Sequence, residues 1–268
     1  MVASIPPTFL AAGRFAHESD VVSDPRSALV TGASRGIGRS IALRLARKGY
    51  GVTITARGED ALGAVAEELA AAGAPQVEVV AADSADRDAV ADVAKTHRER
   101  FGAMDALVLN AGVGTAGSLE ETDLRRLDKT FDVNFVSAAI LIRESLDMLR
   151  RAAELPRSNG SRIIALSSIT GVFAEPGLGV YGASKAALLS LIETTNLEEA
   201  GNGVTATAIA PAFVDTDMSA WVSDVIEPGS MIPTSDVVDV VEMLLGLSGN
   251  SVIGRIVMSR AGTSGYCA

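Results

Sequence analysis

The sequence has few of the residues on which metal sites and disulfides depend. It contains one cysteine, Cys267, and two histidines, His17 and His97, among 268 residues. A single thiol cannot form an internal disulfide, and this set cannot supply a cysteine cage or a three-histidine zinc site. No apolar run reaches the 18 residues that indicate a membrane span. We therefore expect no metal and no membrane partner, and we expect both histidines to be exposed to solvent.

Positive charge is scarce too. The chain has 23 basic and 33 acidic residues, a net charge of −10, and only four of the basic residues are lysines. Such an acidic surface repels phosphate backbones, so we expect no nucleic-acid partner. Hydrophobic residues make up 48% of the chain and charged residues 21%, which is typical of a globular protein, and the length fits one α/β domain.

The first 26 residues differ from the rest. They carry Pro6, Pro7 and Pro25, show no clear periodicity, and lack the basic start and apolar run of a secretory signal. The sequence predicts an N-terminal arm over residues 1–26, anchored by apolar residues such as Phe9 and Phe15, and a single domain over residues 27–268. We expect a cytoplasmic protein.

After the arm, short β-rich runs alternate with helical patterns. The first helical pattern has Ile37, Ile41 and Leu45 on one face and stops at Gly49. Leu62, Val65 and Leu69 mark the second helix, which stops at Gly73. Later helices are predicted over 85–100, 120–153, 181–199 and 236–247, and the strands over 28–31, 51–56, 77–81, 106–109, 162–166, 204–209 and 252–258. This alternation predicts an α/β fold: a doubly wound, parallel, seven-stranded sheet of Rossmann type, with helices on both faces.

In an open sheet of this kind, ligands bind beyond the carboxyl ends of the strands. Two irregular segments, 172–179 and 218–233, follow strand ends and are the expected walls of a substrate site. Phe173 in the first segment and Met218 and Trp221 in the second are expected to contact the substrate, as is Phe213, which precedes the second segment. The alternative for each of them is packing in the core or in a loop.

A glycine-rich turn, TGASRGIG at residues 31–38, lies between the first strand and the first helix. Gly32 permits a tight turn, Gly36 lets the backbone approach a pyrophosphate, and Gly38 allows close packing of the helix. The free N–H groups of a helix N-terminus favour phosphate, so the turn indicates a dinucleotide site. It also argues against an eight-fold barrel.

The end of the second strand selects the dinucleotide. NAD sites place Asp or Glu there to bind the ribose 2′-hydroxyl, whereas this strand ends Thr55-Ala56-Arg57. Arg57 and Arg35 carry planar guanidinium groups that match a 2′-phosphate. We therefore predict NADP(H) as the preferred cofactor, with NAD(H) as the alternative.

Tyr181 and Lys185 are spaced i, i+4 on a predicted helix and share one face. A nearby ammonium lowers the pKa of a tyrosine, so the pair is a candidate proton donor for a carbonyl oxygen. Ser167 and Ser168 end the preceding strand, where a hydroxyl can bond the same oxygen. Asn134 is a polar residue within an apolar helical pattern; its simplest interpretation is a capped or kinked helix.

Five motifs in this order resemble the short-chain dehydrogenase/reductase family, over about Ser27 to Met258: TGASRGIG, Asn110-Ala111-Gly112, Asn134, Ser168 and Tyr181-Gly182-Ala183-Ser184-Lys185. The resemblance implies a hydride transfer between nicotinamide and a carbonyl or secondary alcohol. Tyr181 would then be the general acid/base and Ser168 would polarise the carbonyl. Lys185 would hold the ribose and lower the pKa of Tyr181, and Asn134 would hold a water.

The resemblance also implies a cofactor-binding set, in which Asp83 contacts adenine and Thr216 holds the carboxamide. The full set is Gly32, Ser34, Arg35, Gly36, Ile37, Gly38, Arg57, Asp83, Ser84, Asn110, Ala111, Gly112, Tyr181, Lys185, Pro211, Val214 and Thr216. The chain has Ala212 where the family usually has glycine after the proline, which puts the local loop geometry in question. The family's usual assembly implies a homotetramer or homodimer, formed through the helices of Asn134 and Tyr181 and through the last helix and strand.

The family's familiar activity is the reduction of 3-oxoacyl groups, but an acidic acyl carrier protein needs a basic docking surface. Residues 190–203 contain no Lys or Arg, although Arg150, Arg151, Arg157 and Arg162 are candidates for a local basic rim. We expect a small-molecule substrate, an apolar ketone or a 3-oxoacyl thioester. The alternatives are a non-catalytic NADP-binding regulator, an NAD-dependent alcohol dehydrogenase and a sugar-nucleotide epimerase.

Overall fold

The computed structural model describes residues 25–267 and shows a seven-stranded parallel sheet. Its strands are β1 (Ser27–Thr31), β2 (Gly51–Ala56), β3 (Val77–Ala81), β4 (Ala106–Leu109), β5 (Ser161–Leu166), β6 (Val204–Pro211) and β7 (Arg255–Met258). They lie in the order β3-β2-β1-β4-β5-β6-β7. The predicted Rossmann-type sheet is confirmed. The predicted arm falls largely on residues 1–24, which lie outside the described residues, as does His17.

Helices cover both faces of the sheet. They are α1 (Gly36–Arg47), α2 (Glu59–Ala71), α3 (Arg87–Phe101), α4 (Leu124–Phe131), α5 (Ser137–Glu154), α6 (Gly179–Glu199) and α7 (Thr234–Gly246). Successive strand residues point to opposite faces, so Val30 belongs to one apolar core and Leu29 to the other. The first core packs α1, α2 and α7, and the second packs α3, α5 and α6. Burial on both faces explains why the strands read as continuous apolar runs.

The strand order reverses between β1 and β4, which opens a crevice at their carboxyl ends. Side-chain hydrogen bonds tie the two strand ends together. The hydroxyl of Thr31 accepts from the backbone N–H groups of Asn110 and Ala111, both at 2.9 Å. The Asn110 amide donates in return to the carbonyl oxygens of Thr31 (3.0 Å) and Gly32 (3.1 Å). These bonds fix the glycine-rich turn beside the end of β4.

The long helix predicted over 120–153 is two helices. The chain enters α4 only at Leu124, where the carboxylate of Asp123 accepts from the N–H of Arg125 at 2.9 Å and caps the helix. A π-helical turn, Asp132–Val136, then separates α4 from α5. The apolar periodicity runs through this turn, so the pattern alone could not reveal it. The last strand also begins later than predicted, at Arg255.

His97 corrects another expectation, because it is fully buried on α3. Its Nδ1 lies 2.8 Å from the hydroxyl of Thr53, and its Nε2 lies 3.3 Å from that of Ser27. The Ser27 hydroxyl donates to the carbonyl of Ala103, so Nε2–H donates to Ser27 and Nδ1 accepts from Thr53. Two hydroxyls satisfy both ring nitrogens and make burial of a neutral imidazole tolerable.

Across residues 25–267, the helices are too short or too polar to span a bilayer. The same residues hold no cluster of three or more His, Cys, Asp or Glu side chains placed to bind a metal ion.

Candidate active site

One cavity of about 740 Å³ opens at the carboxyl ends of the strands, where the strand order reverses. It joins the glycine-rich turn, the ends of β2 and β3, the segment after β4, and the loops that follow β5 and β6. Among the residues predicted for cofactor or catalysis, those that line it are Gly32, Ser34, Arg35, Gly36, Ile37, Arg57, Asp83, Ser84, Asn110, Ala111, Gly112, Ser168, Tyr181, Lys185, Pro211, Val214 and Thr216. Gly38 and Asn134 lie behind this lining.

The glycine-rich turn has the geometry that a phosphate site requires. Gly32 and Gly36 have φ of 62° and 56°, values that favour glycine. A Cβ on Gly38 would lie 2.4 Å from the carbonyl oxygen of Gly32, so only glycine lets α1 pack this closely. The residue before α1 makes no side-chain cap, and the first turn of α1 holds no acidic residue. The N–H groups of that turn are therefore free to donate to a phosphate.

The charged side chains of the cavity are mostly positive. Five cationic and two carboxylate side chains line it: Arg35, Arg57, Arg126, Lys129, Lys185, Asp83 and Asp217. Arg57 is exposed at the end of β2 and makes no ion pair within the described chain. Arg35 donates to a carboxylate oxygen of Asp217 at 3.1 Å. A molecule of net charge −10 thus places a positive wall where a dinucleotide is predicted.

Ser168, Tyr181 and Lys185 come together because α6 packs closely on the turn after β5. A Cβ on Gly182 would lie 2.8 Å from the carbonyl oxygen of Thr170, and one on Gly171 would lie 2.8 Å from the carbonyl carbon of Lys185. These two glycines let the two backbones touch. The ammonium of Lys185 lies 5.8 Å from the centre of the Tyr181 ring and donates to the carbonyl of Leu166 at 2.7 Å.

Burial dominates the acid–base properties of this group. It raises the pKa of the Tyr181 phenol above its usual value, and a hydrogen bond with Ser168 opposes the rise only in part. It also lowers the pKa of Lys185 to about 8, because the ammonium is desolvated. The family resemblance implies that Lys185 lowers the pKa of Tyr181. The causes of this shift are burial and the bond with Ser168, and Lys185 is not among them, so its expected effect on the phenol stays a prediction.

Asn134 lies in the π-helical turn and is almost fully buried. Its Oδ1 accepts from the N–H of Val113 at 2.8 Å, and its Nδ2 donates to the carbonyl of Val113 at 3.1 Å. Nδ2 also donates to the hydroxyl of Ser184 on α6 at 3.0 Å. Asn134 therefore holds the segment after β4 against α6, beside Lys185. The kinked-helix interpretation is confirmed.

The predicted substrate walls are found in part. Phe213, Met218 and Trp221 line the cavity, and the Phe213 and Trp221 rings meet edge to face with centroids 6.0 Å apart. Phe173 does not line it. Its ring packs edge to face against Tyr266, 5.1 Å away, so Phe173 holds the C-terminal segment instead.

The structure adds cavity residues that the sequence analysis did not identify. Thr115, Arg126 and Lys129 come from the segment after β4 and from α4, and Leu178 precedes α6. The i, i+3 spacing of Arg126 and Lys129 was a usable signal that both share one face of α4. No pattern indicated that this face borders the cavity.

Three of the four arginines expected to form a basic rim are engaged within the fold, whereas Arg151 is exposed and donates only to the carbonyl of Gly102 at 3.3 Å. Arg150 pairs with Glu199, and Arg157 pairs with Asp105 at 2.6 Å. Arg162 is buried and donates to backbone carbonyls, among them those of Leu247 and Ser248 at 2.8 Å. Arg150, Arg157 and Arg162 therefore stabilise the fold.

A model of the short chain dehydrogenase family matches residues 26–225. The chain belongs to this family. As a short-chain dehydrogenase it is an oxidoreductase acting on alcohol and carbonyl groups. A relative named 3-oxoacyl-[acyl-carrier-protein] reductase FabG, from Staphylococcus aureus (strain Mu50 / ATCC 700699), is 37% identical over 200 residues, which are 74% of this chain and 78% of that protein.

Solved structures of other family members share the fold. An alcohol dehydrogenase from the archaeon Thermococcus sibiricus, complexed with 5-hydroxy-NADP, has a TM-score of 0.78 and 28% identity, covering 91% of this chain and 98% of that chain. A short chain dehydrogenase from Burkholderia cenocepacia J2315, in complex with NADP, has a TM-score of 0.77 and 31% identity, covering 87% and 95%. Both similarities extend over most of this short-chain dehydrogenase.

Proposed function

We propose that this short-chain dehydrogenase uses NADPH to reduce the carbonyl group of an apolar ketone or a 3-oxoacyl thioester to a secondary alcohol. The observation that carries the proposal is the meeting of Ser168, Tyr181 and Lys185 in the same cavity as the glycine-rich turn. A non-catalytic NADP-binding protein has no need of this arrangement, which places a half-buried proton donor beside the dinucleotide site.

When bound, NADPH supplies a hydride to the carbonyl carbon. Tyr181 gives its hydroxyl proton to the carbonyl oxygen, and its raised pKa keeps it protonated at neutral pH. The Ser168 hydroxyl accepts from the hydroxyl of Thr170 at 2.9 Å, so it directs its own proton towards the Tyr181 oxygen or, when substrate is bound, the substrate oxygen. Lys185 uses one N–H on the carbonyl of Leu166 and has two more for ribose hydroxyls. Asn134 positions the segment after β4, in addition to the water relay that the family resemblance implies.

The proposal of NADP(H) rather than NAD(H) rests on the positive charge of Arg57 at the end of β2. No carboxylate lies there to receive a ribose 2′-hydroxyl, and Arg57 is exposed without an ion-pair partner in the described chain. The uncapped N-terminus of α1 fits the pyrophosphate. Solved relatives bound to NADP or to its 5-hydroxy derivative agree with this choice.

The cofactor assignment is tested with Arg57→Ala. Arg47→Ala is the control, because Arg47 is exposed at the C-terminal end of α1, away from the glycine-rich turn. Loss of a charge-assisted hydrogen bond weakens binding by about tenfold or more. We expect Arg57→Ala to weaken NADPH by that factor and to leave NADH and the control unchanged, as measured by calorimetry. An Arg57→Ala protein that still prefers NADPH to NADH as strongly as the wild type would refute the assignment.

The substrate class rests on the apolar wall of Phe213, Met218 and Trp221 and on relatives named as 3-oxoacyl reductases. The carrier-bound form is disfavoured, because residues 190–203 contain no Lys or Arg and three of the four arginines expected to form a basic rim are engaged within the fold. We therefore expect the same 3-oxoacyl group to be reduced faster as a small thioester than on an acyl carrier protein.

The reaction is tested by NADPH oxidation, followed by absorbance, with matched ketones, small thioesters and carrier-bound thioesters. Tyr181→Phe removes the proton donor and keeps the ring, and it is expected to lower turnover by about 10²–10⁴-fold. A wild-type protein that binds NADPH and reduces none of these compounds would leave the carbonyl reductase proposal without support. Equal turnover by Tyr181→Phe would remove Tyr181 from its role.

A further inference from the structure

The ion pair between Arg35 and Asp217 joins two parts of the cavity that lie 182 residues apart in sequence. Arg35 directly precedes α1 in the glycine-rich turn, and Asp217 begins a short 3₁₀ segment, Asp217–Val222, after β6. The guanidinium and carboxylate are 3.1 Å apart, and both side chains are more than two-thirds exposed. The side chain of Thr216 also lies close to the turn here, because a Cβ on Gly36 would lie 3.6 Å from its methyl group.

Asp217 binds the guanidinium of Arg35, which the proposed cofactor also needs for its 2′-phosphate. Of the two arginines expected to receive the 2′-phosphate, Arg57 is open, whereas Arg35 is held by this carboxylate. A phosphate has more charge and more acceptor oxygens than a carboxylate, and it binds a guanidinium through two parallel bonds. An exposed carboxylate–arginine pair is weak, so a 2′-phosphate can displace it.

The 3₁₀ segment that Asp217 begins also carries the proposed substrate wall. Met218 and Trp221 lie in it, both line the cavity and both are largely exposed. Within the segment the backbone bonds are short-range, such as Ser219 to Thr216 at 2.9 Å. The ion pair with Arg35, in contrast, joins the segment to the cofactor side of the cavity.

We propose that Asp217 tunes cofactor selectivity by competing with the 2′-phosphate for Arg35, and that phosphate binding releases the segment carrying Met218 and Trp221. The inference rests on the proposed NADP(H) dependence and deepens it, since it gives the 2′-phosphate an effect on the substrate wall. NADH lacks this phosphate and leaves the ion pair in place.

The chain provides its own reporter, because Trp221 is its single tryptophan and lies four residues after Asp217. Adenosine 2′,5′-bisphosphate is the probe: it carries the 2′-phosphate and has no nicotinamide to quench Trp221 directly. Adenosine 5′-monophosphate is the matched ligand without that phosphate. Asp217→Asn removes the competing charge, and Asp224→Asn removes an equal charge from an exposed position seven residues later.

For Asp217→Asn we expect the bisphosphate to bind about two- to fivefold more tightly, the range for loss of a competing exposed ion pair, with the monophosphate unchanged. Asp224→Asn is expected to change neither affinity. In an Arg35→Ala background, Asp217→Asn is expected to have no further effect on the bisphosphate. In the wild type, the bisphosphate is expected to shift the Trp221 emission beyond the shift that the monophosphate gives. This extra shift is expected to be absent from Asp217→Asn.

Three results would overturn the inference. Equal gains for both ligands in Asp217→Asn would show a general charge effect, and a matching gain in Asp224→Asn would show the same. An extra Trp221 shift of equal size in wild type and Asp217→Asn would show that the segment responds without the ion pair. These outcomes leave the NADP(H) proposal standing. Wild-type protein that binds the bisphosphate no better than the monophosphate would overturn both.

Discussion

At the scale of single residues, burial decides the chemistry of His97, Tyr181 and Lys185. His97 is the clearest example, because its ring is enclosed by α3 and the sheet and stacks near Phe101 with centroids 4.8 Å apart. Desolvation lowers its pKa to about 4. The folded chain therefore keeps His97 neutral at pH values where the unfolded chain protonates it.

This difference predicts a loss of stability on mild acidification. The unfolded histidine titrates near pH 6.5 and the folded one near 4, so stability falls as the pH drops between these values. Between pH 7.5 and 5.5 we expect the free energy of unfolding to fall by about 1 kcal/mol through His97 alone. Urea unfolding at the two pH values, for wild type and His97→Gln, measures it. The variant is expected to lose this part of the pH dependence, and an unchanged dependence would contradict the assignment.

Lys185 and Tyr181 predict the pH profile of the reaction. The raised pKa of Tyr181 keeps the proton donor intact through neutral pH. Lys185, with a pKa of about 8, loses its charge as the pH rises through that value. We expect kcat/KM for reduction to be flat near pH 6–7 and to fall above about pH 8. Lys185→Arg, which retains its charge, is expected to move the fall to higher pH; a fall at the same pH in that variant would exclude Lys185 as its source.

The residue scale also shows how far sequence reasoning reaches. The i, i+4 spacing of Tyr181 and Lys185 is visible in the letters, and so is the absence of a carboxylate at the end of β2. The burial of His97 and the pairing of Phe173 with Tyr266 depend on neighbours distant in sequence. Helical periodicity gives the same signal for a polar residue that faces solvent and for one that meets two buried hydroxyls.

At the scale of elements, the seven strands and most helices were predictable. Most of the strands are short apolar runs, and the first three helices are amphipathic patterns that end at Gly49, Gly73 and Gly102. The π-helical turn was not predictable. It depends on the amide of Asn134, whose partners are Val113 after β4 and Ser184 on α6. Similarly, Arg162 is a buried cation near the start of β5 that donates to the carbonyl of Leu244 in α7 and to that of Leu247, the residue after α7, 85 residues away.

The π-helical turn yields a stability prediction. Asn134→Ala removes one partner from the half-buried backbone groups of Val113 and one from the buried hydroxyl of Ser184. Losing a hydrogen-bond partner away from water costs about 1–3 kcal/mol, and water from the cavity reaches Val113, so we expect a loss of about 1–2 kcal/mol in the free energy of unfolding. Denaturant titration measures it. Asn250→Ala, at an exposed position, is expected to stay within about 0.5 kcal/mol of wild type. A similar loss in both variants would argue against a special role for the turn.

At the scale of the whole molecule, charge is distributed to favour an anionic ligand at one place. The chain is acidic overall, yet the cavity is lined by five cationic and two carboxylate side chains. A positive cleft within a negative surface attracts a dinucleotide and repels longer polyanions. The composition shows the negative net charge, but only the fold shows that positive side chains gather at the cavity.

Exposed apolar side chains predict assembly. Leu197 on α6, Met243 on α7 and Val257 on the edge strand β7 are exposed, the first by 89%. These elements include the last helix and strand, through which the family resemblance implies association. We expect light scattering to give a dimer or tetramer of the 27.5 kDa chain, and Val257→Glu to lower that mass. A monomeric mass for the wild type would contradict this expectation.

The central claim is that hydride passes from NADPH to a substrate carbonyl while Tyr181 supplies the proton. Mass spectrometry of the product formed from NADPH deuterated at the transferred position of C4 tests it most directly. The account predicts one deuterium on the carbinol carbon with wild-type protein, and product formation about 10²–10⁴-fold slower with Tyr181→Phe at saturating NADPH. Product without deuterium, or formed equally fast by Tyr181→Phe, would contradict it.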